Sequence, residues 1–82
     1  MPDTREVELK PNDWVEASAV SCTFSSDSDF GFAQGATKPT LIRGHFYDSQ
    51  HRDVIAWGLG AGDKLWVKGT RAGGNVIVTE QG

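Results

Sequence analysis

Cysteine is almost missing from this chain of 82 residues, where Cys22 stands alone. An internal disulfide and a cysteine-only zinc site are therefore excluded. Long apolar runs are missing as well, so no stretch is suited to a helical membrane span. The opening Met1-Pro2-Asp3-Thr4-Arg5-Glu6 lacks the basic and apolar stretches of a secretory signal, and a cytoplasmic protein of a reducing compartment is expected. Positive charge is scarce: Lys and Arg number 8 against 11 Asp and Glu, a net of −3. That balance argues against tight, sequence-blind binding of phosphates, which is driven by counterion release. It leaves room for binding at one basic face, because the charge is uneven. Residues 1–37 hold two basic and seven acidic side chains, whereas residues 38–82 hold six basic and four acidic ones.

No helix-period stretch is present either. Glycine, serine and threonine recur throughout, and β-branched and aromatic residues alternate with polar ones, which reads as all-β. Apolar residues make up only 38% of the chain. A domain this small buries about 60% of its unfolded surface, so closing a small sheet on itself is an economical fold. Strands are expected at Trp14–Phe24, Phe30–Gln34, Thr40–Tyr47, Lys64–Thr70 and Asn75–Thr79, with a short one at Val54–Trp57. Pro11-Asn12-Asp13, Ser25–Asp29, Gly35–Pro39 and Ala72-Gly73-Gly74 are turn signals. Five strands at this spacing suggest a small antiparallel Greek-key barrel, the five-stranded oligonucleotide-binding fold, over residues 14–82. The long first strand is able to bend and serve two faces. Residues 1–13 read as an acidic arm or as an extra strand paired to Trp14–Ala19, the alternation at Val7 and Leu9 favouring the strand.

The residues able to carry chemistry centre on Phe30-Gly31-Phe32-Ala33. Side chains alternate along a strand, so Phe30 and Phe32 share one face. In the next strand Arg43, His45 and Tyr47 share a face, with Ile42, Gly44 and Phe46 on the other. Pairing the two strands sets Phe30 and Phe32 beside Arg43 and His45. Arg and His are seldom buried in so small a core. The expectation is therefore that both rings face water, as a platform on which bases stack at about 1–3 kcal/mol each. The opposite reading places both rings in the core.

These residues also carry a resemblance. The spacing Phe24-x5-Phe30-Gly31-Phe32-x12-His45-Phe46 resembles the cold-shock domain. Leu59-Gly60-Ala61-Gly62-Asp63-Lys64-Leu65-Trp66-Val67 and Gly74-Asn75-Val76 are similar to later motifs of that family, and the likeness spans residues 16–79. It implies an oligonucleotide-binding barrel that holds single-stranded RNA or DNA without catalysis. Carried over by position, Phe24, Phe30, Phe32, His45 and Phe46 match the family's stacking residues, and Arg43, Lys38 and Lys64 are expected to meet phosphates or stack. The departures are Cys22, Thr23, Ser28-Asp29 and Arg43, which stand where the family has lysine, tryptophan, Lys-Gly and phenylalanine. Two rings and two positive charges are lost, and weaker, more salt-sensitive binding is expected. A looser likeness to bacterial single-strand-binding proteins rests on His51–Gly58 and Gly62–Gly69.

No metal-ligand spacing joins His45, His51, Asp48 and Cys22, and no cofactor is implied. Cys22 reads as a small buried residue rather than a nucleophile. The acids Asp27, Asp29, Asp48 and Asp53 read as solvated turn residues, so an enzyme is not expected. Trp57 either extends the stacking surface from the long connection or plugs one end of the barrel, the plug being slightly favoured. Trp66 points away from Leu65 and Val67, and either a neighbouring segment covers it or it marks an interface. The competing function is a protein-interaction module in which a partner, or a second copy of the chain, docks through Trp66 or the N-terminal strand.

Overall fold

Alternation drives the chain into strands throughout. The clearest case is Lys64-Leu65-Trp66-Val67-Lys68-Gly69, where Leu65 and Val67 are fully buried and the residues between them are half-exposed. The computed structural model describes residues 3–40, 44–48, 50, 54–71 and 73–80. Eight strands are formed: β1 (Asp3–Leu9), β2 (Trp14–Ser18), β3 (Cys22–Ser26), β4 (Phe30–Gly35), β5 (His45–Tyr47), β6 (Ile55–Trp57), β7 (Lys64–Gly69) and β8 (Gly74–Glu80). They lie in two antiparallel sheets of four, ordered β1-β8-β3-β6 and β2-β7-β4-β5. No helix is formed among the described residues.

The expected five strands thus become eight. The expected long strand Trp14–Phe24 is two strands, β2 and β3, which belong to different sheets. Ser18 makes the corner between them. Its hydroxyl donates to Val20 O (2.7 Å) and accepts from Val20 N (3.2 Å). Just before the corner, the register of β2 on β7 slips between Glu16 and Ser18. The extra residue lets Ala17 and Ser18 both turn inward, and both are fully buried.

β1 confirms an N-terminal strand but not its partner. It runs along β8 from Asp3↔Glu80 to Leu9↔Gly74, not along Trp14–Ala19. Val7 and Leu9 are the reason, because that register sets them opposite Val76 and Gly74 on the core side. Arg5 shares this side. Its guanidinium pairs with Glu80 (2.7 Å) and donates to Ala17 O of the other sheet. Residues 10–13 turn the chain into β2, with Lys10 bridged to Asp13 as the turn signal implies.

The core lies between the sheets. Phe24, Phe30, Phe32 and Tyr47 form one aromatic cluster at its centre, with Leu65, Val67, Val76, Val78 and Cys22 around it. Phe30 stacks on Tyr47 at 4.7 Å, and Phe24 meets the Phe32 ring edge-on at 5.0 Å. The Tyr47 hydroxyl accepts a hydrogen bond from Ser26 N (3.2 Å), so a residue of one sheet is tied to the backbone of the other. A buried phenol is tolerated where its hydroxyl has such a partner.

Candidate nucleic-acid interface

The expected stacking platform is inverted. Phe30 is 0% exposed, Phe32 5% and Phe24 1%. All three belong to the core, so none is available to stack a base. The two strands do pair, but with Phe30 opposite Tyr47 and Phe32 opposite His45, two residues further along than expected. The choice of face is reversed. Polar His45 does not make its face an outward one. His45 does share the ring face, but it opens β5, and from there its imidazole reaches water while resting on Phe32 (5.3 Å) and Trp57 (5.7 Å). A strand end lets a polar side chain leave the core that the middle of the strand cannot leave. Tyr47 was the better guide, since a phenol with a backbone partner is content inside.

The other face is the one that meets solvent. Opposite residues of paired strands share a face, which places Trp14, Lys68, Gly31 and Phe46 in one row across β2, β7, β4 and β5. Phe46 is 67% exposed, an unusual position for a phenylalanine. Next to it Gly31 leaves bare backbone. A Cβ built on Gly31 would have only ordinary contacts, the nearest with His45 O at 3.5 Å. Lys68 follows, its ammonium 5.8 Å from the Trp14 ring centroid. Trp14 itself is buried, its indole reaching across the face to Gly44. Glycine is required at position 44, where a Cβ would lie 2.5 Å from Phe32 O and 2.7 Å from the tip of Trp14.

A groove of about 530 Å³ opens here, with Gly31, Gly44, Phe46, Lys68, Asn12 and Thr70 among the residues that line it. Gly31 lies between Phe46 and Lys68 in the row, and the volume lies within the range of small-ligand sites.

The remaining expected residues are placed as follows. Lys38 is exposed and pairs with Asp13 (2.8 Å), which holds the Asp13 carboxyl below its usual range, chiefly through that hydrogen bond. Lys64 lies on the same face as Lys68 but pairs with Glu16 (2.8 Å). Exposed pairs of this kind contribute little. Arg43, together with Ile42, His51, Arg52 and Asp53, lies outside the described residues. Trp57 is half-buried against the edge of Phe32 (5.2 Å), and its Nε1 donates to Gln34 Oε1 (3.0 Å). Its ring also lies 5.7 Å from His45 of β5. Trp66 is half-covered, and its Nε1 donates to Gly35 O (3.0 Å). Cys22 is buried, and that burial raises its thiol pKa.

Lys68, Asn12 and Gly31 were missed as site residues. A signal did exist: Gly31 and Phe46 alternate out of phase with Phe30 and Tyr47, so a ring and a glycine had to share whichever face the core did not use. Among the described residues, no group of His, Cys, Asp and Glu is arranged to hold a metal ion. No helix in the described residues is long and apolar enough to cross a membrane. No protein-family model, no curated protein and no solved structure matches the chain.

Proposed function

We propose that the protein binds single-stranded nucleic acid, without catalysis, on the outer face of the β2-β7-β4-β5 sheet. One observation carries the reading: a strongly exposed ring, Phe46, lines a groove together with Gly31 and Lys68. A base would stack on Phe46 above Gly31, and its phosphate would lie toward Lys68. Charge separation supports this placement. Glu6 and Glu8 alternate with inward Val7 and Leu9 and so lie on the far side of the other sheet, away from Lys64 and Lys68. On this face Lys64 and Lys68 stand with Glu16, so the net charge of −3 does not describe it. The cold-shock likeness supports the same class of ligand, but by motif spacing alone. Kinship with the oligonucleotide-binding barrels is part of the same proposal and rests on that spacing.

The test is quenching of tryptophan fluorescence on titration with an oligo-dT strand at low salt, since Trp14 backs the groove. Saturable quenching is expected. Phe46→Ala should weaken it by about 1–3 kcal/mol and leave thermal unfolding nearly unchanged. Absence of saturable quenching at high micromolar strand would reject the reading.

A second reading has one observation behind it. On the outer face of the β1-β8-β3-β6 sheet, Ile77 and Val54 are exposed beside Ser25 and Asp27 and line a shallow depression. With Glu6 opposite Ile77 in the β1–β8 ladder, this face suits a basic, partly apolar peptide. Self-association through β1 is disfavoured in the two registers centred on Glu6 and Val7. Two-fold pairing centred on Glu6 sets Glu6 against its own copy, and centring on Val7 sets Glu6 against Glu8.

A further inference from the structure

Asn12 is held in a backbone conformation that most residues avoid. Its φ is 59°, and among the described residues no other non-glycine has a positive φ. Glycine would hold that conformation with less strain, although asparagine tolerates it better than most. The turn is fastened to the end of β7: Asn12 N donates to Gly69 O (3.4 Å), and Gly69 N donates to Lys10 O (3.1 Å). Asn12 is exposed and lines the groove together with Thr70, Phe46 and Lys68. Among the described residues its carboxamide has no hydrogen-bond partner. A carboxamide presents a donor and an acceptor side by side. Cytosine and thymine offer such a pair on their Watson–Crick edge alone, whereas adenine offers it on two edges, its amino group donating beside either of two ring nitrogens that accept. Unstacked bases of single strands are read on such edges.

We propose that Asn12 reads the edge of the base lying over Gly31 and gives the protein a preference for adenine. This inference rests on the nucleic-acid reading above and names the specificity of the same groove.

The experiment titrates the full chain at low salt with fluorescein-labelled oligo-dA, oligo-dT and oligo-dC of equal length, followed by anisotropy. The unaltered protein should bind oligo-dA at least about five-fold more tightly than the other two. Asn12→Gly deletes the carboxamide and suits the backbone, so its thermal unfolding should match the parent. In that variant the affinity for oligo-dA should fall further than the affinity for oligo-dT, so that the adenine advantage disappears. Equal affinity for all three strands in the unaltered protein would overturn the role of Asn12 and leave the nucleic-acid reading standing. So would an adenine preference that survives in Asn12→Gly. Failure of every strand to bind would overturn the nucleic-acid reading itself, and the role of Asn12 with it.

Discussion

Across β4 and β5 the inward face is nearly all ring and the outward face nearly all backbone. Phe30, Phe32 and Tyr47 point in and fill the space between the sheets. Gly31 and a covered Ala33 take the other face, with Phe46 as the exposed exception. The two sets are interleaved residue by residue in the same strands. Their difference teaches how a thin core and a binding surface are made from one short segment. The bulk needed to hold two sheets apart is concentrated on one side. The other side is left flat enough for a ligand to approach the backbone, with one ring at its edge.

That contrast can be broken from its inner side first. Phe30→Ala should cost about 3–5 kcal/mol of stability, by loss of burial and by the cavity left next to Tyr47. Chemical denaturation would read this as a lowered midpoint, and a midpoint close to the parent's would contradict the assignment of Phe30 to the core. Tyr47→Phe keeps the ring but leaves Ser26 N without its partner, and about 1–3 kcal/mol should be lost. The outer side responds differently. Lys68→Gln should leave unfolding almost unchanged and reduce the slope of log affinity against log salt by about one. An unaltered salt slope would remove Lys68 from the phosphate path.

The smallest effects are those of pH. Asp13 has its pKa lowered chiefly by the Lys38 hydrogen bond. A lowered carboxyl pKa adds stability above the unfolded value, and that stability fades as pH falls through the folded value. Lys38→Met should therefore remove a slight acid-side dependence visible in melting temperature below about pH 4. Cys22 acts at the other end. Its pKa is raised by burial, so its contribution is complete below the unfolded value and is lost as pH rises through the folded one. Cys22→Ala should flatten the alkaline limb of the same curve, and an unchanged limb would show that the thiol does not matter there.

Strand type was legible where alternation was clean. Lys64–Gly69 and Gly74–Glu80 fall almost where Leu65, Val67, Val76 and Val78 dictate. The split of Trp14–Phe24 into two strands was less so, because the slip at Ala17 and the corner at Ser18 are set by contacts with another strand, not by local preference. The candidate site was legible in strand pairing but not in phase. Period-two alternation names the residues that travel together and is silent about which set faces inward. That choice is made by the whole core. Four large aromatic side chains from β3, β4 and β5 fill the gap between two sheets, and Gly31 with Phe46 could not.

The bend at Ser18 carries a consequence for how the molecule assembles. The chain passes from one layer to the other there, returns between β3 and β4, and each layer takes strands from near both ends of the sequence. Neither half of the polypeptide can therefore complete a layer by itself. Denaturation should follow one concerted transition seen alike by every probe, and refolding should be slow for so few residues, on the order of milliseconds to seconds, as the most distant segments must meet first.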